Sequence, residues 1–307
     1  MIVVGGFNSA IDKLAELDEL VPGEVLRLRN VRPLAGGKGL HVALTCAILG
    51  EPVTLVGLTD TVTGPLFDET LGTHGGRFVG VESDGPIRTC LALRDRDGRT
   101  TELLEPGPAL SEDTTRRLVN TFAAAASRAG YAVLSGSLPS GLRVDTYARL
   151  IERVGRERMA LDTSGDALMQ GLAASPLLVK PNRQEAGEVL GRPIHTIADA
   201  TAAADALAAL GPTIVLLSLG SQGAVVRGPE QRFVVHAPAV EARNTVGAGD
   251  CLLGGFLVGL SRGWPLERCG RFAVACGTAK VMHPDTGVLR PADVDALESA
   301  VFLEQAR

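Results

Sequence analysis

Short, almost wholly apolar runs alternate along this chain with segments whose apolar residues fall at helical spacing. No other feature limits its fold so sharply. The runs are Ile2–Phe7, Val53–Leu58, Tyr131–Leu134, Met159–Leu161, Leu177–Val179 and Thr213–Leu217. Strands this apolar need cover on both faces, and helices lying over a mostly parallel sheet supply it. Helical spacing appears at Gly39–Leu49, Val144–Val154 and Ala198–Leu210, then at Cys251–Leu260, Leu266–Val281 and Ala292–Leu303. The expectation is an α/β fold with helices on both faces of the sheet.

Two stretches depart from the alternation. Leu14–Val31 and Phe78–Leu104 read as short strands joined by turn signals such as Asp97-Gly98. They predict a small second sheet, either a flap that excludes water from a cleft or plain surface hairpins. With 307 residues, 45% of them apolar, the chain can bury one large core. A single domain over 1–307 is expected, with a lid formed by about 14–31 and 78–104.

Charge and cysteine usage narrow the partners. Thirty basic against thirty-five acidic side chains leave a net charge of −5, with no long basic run. Nucleic acid and anionic membranes are therefore not expected partners. The five cysteines form no CxxC pair and predict buried, reduced thiols of a cytoplasmic protein. No signal-like N-terminus and no long uncharged stretch suggest export or a membrane span.

Four segments hold residue types suited to phosphate chemistry. Asn244–Asp250, rich in glycine, runs straight into an apolar helix. Backbone amides of Gly247, Ala248 and Gly249 at a helix N-terminus suit a phosphoryl oxygen, and the Asp250 carboxylate beside them suits an alcohol proton. A helix cap with nothing bound would use the same residues. In Leu34–Ala43, Gly36 and Gly37 let the backbone approach a polyol closely, although a simple turn into a helix needs the same glycines. This is not a Walker A loop, because Lys38 is followed by Gly39. Lys180–Glu185 follows a strand, where ligands collect in open α/β sheets. Asn182 and Glu185, three residues apart, suit a partly hydrated Mg²⁺ or a capping box. Ser218–Gly223 lies at another strand end and forms either a nucleotide-holding turn or a bare hairpin. Only four lysines occur, and two of them, Lys38 and Lys180, fall inside these segments.

Taken in order, these segments resemble the ribokinase-like (PfkB) carbohydrate kinases, nearly end to end. The similarity is greatest to the phosphosugar branch that contains 1-phosphofructokinase and tagatose-6-phosphate kinase. Asn8–Asp12, Gly36–Ala43, Leu134–Gly141, Asp162–Gly165, Lys180–Glu185 and Thr245–Asp250 each resemble a motif of that branch. The resemblance implies a ribokinase-like fold and ATP-dependent, Mg²⁺-assisted phosphorylation of a phosphorylated hexose. Fructose 1-phosphate is the leading substrate; tagatose 6-phosphate and fructose 6-phosphate are rivals, and a free sugar or nucleoside is a more distant one. A non-catalytic sugar-phosphate sensor would need a damaged base or anion hole, and neither is damaged here.

Residue by residue, the resemblance implies that Asp250 is the base and that Gly247, Ala248 and Gly249 form the anion hole. It places Asp12, Gly36 and Gly37 at the sugar hydroxyls, with Lys38 and His41 beside them. It places Arg27, Arg88 and Ser137 at the substrate's existing phosphate, a dianion that suits arginine's fork. Lys180, Asn182, Ser218, Gly220, Gly223 and Gly249 fall to ATP, and Asn182 with Glu185 to magnesium through water. It also implies that the lid forms a dimer contact. Three residues depart from the family pattern: His41 and Cys90, each where an asparagine is usual, and Asn244, where Asp or Ser is frequent.

Overall fold

The computed structural model describes residues 1–305. The first unit runs β1 (Ile2–Gly6), β2 (Ala10–Glu16), β3 (Arg29–Gly36), α1 (Lys38–Ile48), β4 (Val53–Thr59), α2 (Gly64–Gly72) and β5 (Arg77–Glu82). There follow β6 (Arg88–Arg94), β7 (Thr100–Leu104), α3 (Glu112–Ala126), β8 (Tyr131–Ser135), α4 (Thr146–Val154), β9 (Met159–Asp162) and α5 (Gly165–Ala173). Next come β10 (Leu178–Val179), α6 (Arg183–Leu190), α7 (Ile197–Ala208), β11 (Ile214–Ser218), β12 (Ala224–Arg227) and β13 (Arg232–His236). The chain closes with α8 (Ala248–Ser261), α9 (Leu266–Met282), α10 (Pro291–Glu298) and β14 (Phe302–Gln305).

Ten strands form the large sheet in the order β14-β13-β12-β11-β10-β9-β8-β1-β4-β5. From β5 across to β11 all neighbours are parallel, and the last three pairings, out to β14, are antiparallel. Side chains alternate faces with period two. Ile2 and Val4 therefore join one core with α1, α8 and α9, while Val3 joins another with α3, α4 and α7. Each fully buried aliphatic side chain contributes about 1.5–3 kcal/mol, so the two cores fasten the sheet between helical layers.

Helix α8 is apolar around its whole girth and lies inside the molecule. It approaches its neighbours through small residues: a Cβ on Gly254 would fall 2.7 Å from Thr45 Cβ, and one on Gly255 2.6 Å from Cys276 Sγ. All five cysteines are free and buried.

The small sheet runs β3-β2-β6-β7, with β2 and β6 parallel and the outer pairs antiparallel. Its limits differ from the expected 14–31 and 78–104. Phe78 to Glu82 belong to β5, which pairs with β4 on the large sheet because Phe78 stacks on Phe67 at 5.0 Å. The first pair of lid strands is also wider apart in sequence, since residues 17–28 form no strand. The helix expected over Ala292–Leu303 stops at Glu298, and Phe302–Gln305 instead pairs with β13 at the sheet edge. Among the described residues no helix is long and apolar enough to cross a membrane.

Candidate active site

A cleft of about 1190 Å³ opens where the parallel strands end in carboxyl-terminal loops, beneath the small sheet. Open α/β sheets bind ligands there. The start of α8 forms one wall. Gly247 adopts φ 84°, a conformation that costs other residues, and a Cβ there would come 2.9 Å from the Gly287 nitrogen. The turn before it is closed by Asn244, whose Oδ1 accepts from the Val246 N–H at 2.9 Å while its Nδ2 donates to the Pro284 carbonyl at 2.9 Å. Lys280, fully buried, donates to the Asn244 carbonyl at 2.8 Å. The Ala248 N–H donates to Thr245 O, but those of Gly249 and Asp250 have no backbone acceptor among the described residues. They are unspent donors at a helix N-terminus, the arrangement that favours an anion.

Asp250 sits in the first turn of α8, 6% exposed. His41 Nδ1 lies 2.9 Å from its Oδ2, and His41 Nε2 lies 3.1 Å from Asp12 Oδ2. The second contact is close but poorly aligned, so Nε2 is buried without a well-directed acceptor. Burial opposes a charged ring, yet the hydrogen bonds and charges of Asp12 and Asp250 win and push the His41 pKa up to about 9. Burial likewise opposes the Asp250 carboxylate. The hydrogen bond and charge of His41, helped by Lys38 and Lys180, hold its pKa below the ordinary value.

Across the cleft floor, Asp162 ends β9, its side chain fully buried, with Lys180 Nζ 3.2 Å and Lys38 Nζ 3.7 Å from its Oδ1. Lys38 also reaches within 3.7 Å of Glu185 Oε1, and the Asp162 charge above all keeps its ammonium protonated. Asn182 and Glu185 form the capping box of α6, each side chain accepting from the other residue's N–H. Lys180, Asn182, Ser218, Gly220, Gly223 and Gly249 all line the cleft. Glu185 does not, and its free Oε1 faces Lys38.

At the other end, Asp12, Gly37, Lys38, His41, Arg88 and Ser137 line the cleft. Gly36 lies just beneath, where a Cβ would fall 2.1 Å from Asp12 Cγ. Arg88 donates to the Asn8 carbonyl through Nε and Nη2 and to the Glu105 carbonyl through Nη1 at 3.0 Å. Asn8 Nδ2 donates to Ser137 Oγ at 2.9 Å. Arg27 is placed differently from the expectation. It stands exposed in the 17–28 segment and does not line the cleft, because no residue from 18 to 28 is buried to fold that segment inward.

Several lining residues escaped the sequence reading. Strand register puts Asp12, Cys90 and Leu104 in one row on the face over the cleft, with Thr100 and Glu102 further along it. Period-two alternation in β7 was the available signal, but nothing in the sequence said which face would look inward. Asp162 was visible only as part of a motif, although its place at the end of an apolar strand marked it for a strand-end site. Among the described residues, no three His, Cys, Asp or Glu side chains converge as a metal cage.

Comparison with known proteins points one way. The sequence profile of the pfkB family carbohydrate kinases matches residues 2–293. A 1-phosphofructokinase of Xanthomonas campestris pv. campestris is 34% identical over 304 residues, covering 96% of each chain. An ATP-dependent 6-phosphofructokinase isozyme 2 of Mycobacterium tuberculosis is 31% identical, covering 96% of this chain and 88% of its own. Among solved structures, phosphofructokinase-2 from Escherichia coli in complex with substrates and products superposes with a TM-score of 0.89. It is 28% identical and covers 97% of this chain and 98% of its own. The same enzyme has been solved in a tetrameric inhibited form.

Proposed function

The chain belongs to the pfkB family of carbohydrate kinases, and on that footing we propose that it phosphorylates fructose 1-phosphate to fructose 1,6-bisphosphate. Membership makes it an ATP-dependent sugar kinase. The observation that carries phosphoryl transfer is the corner at Gly247–Asp250, where two unspent N–H donors and an ionised carboxylate face one cleft; the choice of sugar is supported by the similarity to 1-phosphofructokinases.

In this reading ATP lies along the ends of β10, β11 and β12, against Lys180, Asn182, Ser218, Gly220 and Gly223. The sugar lies under the small sheet, with Asp12, Gly36, Gly37, Lys38 and His41 around its hydroxyls and Arg88 and Ser137 at its phosphate. Asp250 accepts the proton of the attacking hydroxyl. A bond forms between that oxygen and the γ-phosphorus as the bond to the ADP oxygen breaks. The unspent amides of Gly249 and Asp250 stabilise the transferred oxygens, with Gly247 shaping the turn; the Ala248 amide, expected beside them, is instead held by the Thr245 carbonyl. The transition state is loose, so positioning and charge neutralisation carry most of the rate.

Magnesium fits as a hydrated companion of the nucleotide. The capping box already uses Asn182 Oδ1 and Glu185 Oε2, which leaves Glu185 Oε1 as the free oxygen of the pair. Glu185 and Asn182 would hold the ion through water, and the ion would supply charge neutralisation at the phosphates. Two further readings belong with this one. Val25, Val31 and Leu103 are exposed on or beside the small sheet, which supports a dimer formed through the lid. Five buried free thiols support a reducing, cytoplasmic setting.

The M. tuberculosis relative favours fructose 6-phosphate as the second reading. ADP release across fructose 1-phosphate, fructose 6-phosphate and tagatose 6-phosphate separates them. The highest kcat/KM is expected with fructose 1-phosphate. A higher value with another phosphohexose would replace the substrate, and no release with any would overturn the phosphohexose reading and turn the search to free sugars and nucleosides.

A further inference from the structure

His41 stands at a junction of three elements. It lies in the first turn of α1, and its ring reaches from Asp12 on β2 to Asp250 on α8. The backbone of the 283–287 segment closes the slot: a Cβ on Gly287 would fall 2.3 Å from His41 Cδ2. The ring is 4% exposed, and its main-chain carbonyl is capped by Thr45 Oγ1 at 2.8 Å. Nothing about the ring's place resembles a loosely packed side chain.

Carboxylate oxygens lie 2.9 and 3.1 Å from the two ring nitrogens, the first hydrogen-bonded to Asp250 and the second a close but poorly aligned approach of Asp12. A neutral imidazole carries one N–H, so one of these approaches would then set a nitrogen lone pair against an anion. Only the doubly protonated ring suits both neighbours. We propose that His41 is a positioning residue, an imidazolium that bridges the sugar-side Asp12 and the base Asp250 and holds the base ionised and oriented. The inference rests on the reading of Asp250 as the base.

The charged groups around the ring come from every side. Asp12 and Asp250 touch it, and Glu102 of β7 is close enough to feel its charge. Lys38 from the same helix and Lys180 from the end of β10 bias Asp250 further toward ionisation. On the 283–287 segment the contact is the Gly287 backbone, and the nearby Asp285 is paired with Arg32 at 2.8 Å.

A carboxylate base alone gives an activity that rises through its own pKa and then stays level. The bridge adds a second, alkaline limb, since activity should fall as the ring loses its proton near pH 9. The test is kcat and KM for fructose 1-phosphate from about pH 4 to about pH 10 in the wild type, His41→Asn, His41→Gln and Asp250→Asn. We expect the alkaline limb to vanish in both His41 variants and the acid limb to move to higher pH, because Asp250 loses its nearest cation. Turnover near neutrality should drop ~10–10²-fold, with KM moving less. Unchanged limbs and turnover in both variants would overturn the bridge while leaving the base intact. Near wild-type activity in Asp250→Asn would overturn the base instead.

If the His41 variants do not fold, NMR of ¹⁵N-histidine-labelled wild type decides. One of the five imidazoles should keep both nitrogens protonated until about pH 9, and Asp250→Asn should lower that titration. Five rings that all titrate near the ordinary histidine value would overturn the proposal.

Discussion

The corner that would perform phosphoryl transfer and the sheet that would close over the sugar are built in opposite ways. At the corner, α8 is buried on all sides, its glycines let α1 and α9 each pack closely against it, and Lys280 ties the preceding turn by a buried ammonium. In the small sheet, β7 is exposed along its whole length and residues 29 to 33 of β3 are exposed as well. The corner therefore needs nothing further to hold its geometry, whereas the sheet leaves apolar surface without cover. Electrostatic preorganisation demands the first kind of construction, because donors that must reorient during the reaction lose their advantage. A flap that admits and releases substrate suits the second.

The difference can be broken at the corner first. Asp250→Asn keeps the side chain's shape and its contact with His41 but removes the proton acceptor. Turnover should fall ~10²–10⁴-fold with KM for the sugar phosphate little changed. Steady-state kinetics checks it, and near-normal turnover would mean the rigid corner only binds.

Arg88 begins β6 of the small sheet and ties that sheet to the loop after β1. Its fork reaches the Asn8 carbonyl at the end of β1 and the Glu105 carbonyl just past β7. With a phosphosugar bound, Arg88→Ala should raise KM by about 10–10²-fold, as loss of a charge-assisted bidentate contact implies. An unphosphorylated sugar should feel far less. Equal changes for both would show that the arginine only fastens the lid.

Lys280→Met probes the scaffold itself. Removing the ammonium leaves the half-buried Asn244 carbonyl without its donor, which costs about 1 kcal/mol. Thermal denaturation should show a lower Tm, and kcat should fall more than KM rises, because the turn before Gly247 loosens. An unchanged Tm would show that the corner does not depend on that buried cation.

The legible parts of the molecule were those where one physical demand dominates. Six apolar runs had to be strands covered on both faces, and six are. Gly247 and Asp250 were legible as a glycine-rich helix start with a carboxylate beside it; a bare cap reads the same way, and only the order of several motifs along the chain favoured an anion site. Partnership across long sequence separations was not legible. His41 lies 209 residues from Asp250, and no local pattern says that its ring spans two carboxylates. Phe78 was assigned to the lid because alternating residues look alike in either sheet, and only its stacking on Phe67 decides the matter. Arg27 carried the right chemistry in a segment that buries nothing, so charge type alone misplaced it.

That last misplacement bears on the smallest predicted effect. Val25 is 92% exposed and Val31 49%, so replacing both by aspartate removes little packing within one chain. Monomer stability should stay within about 0.5 kcal/mol of wild type. Two carboxylates in an apolar contact between copies would instead be desolvated without partners, which opposes association strongly. Sedimentation of the wild type should therefore report a dimer, and of the double variant a monomer with an unchanged Tm. A wild type that sediments as a monomer would leave the exposed row to the flap alone. Identical assembly in both proteins would place the contact on another face, and the contrast between a self-sufficient corner and an incomplete lid would then lose its second half.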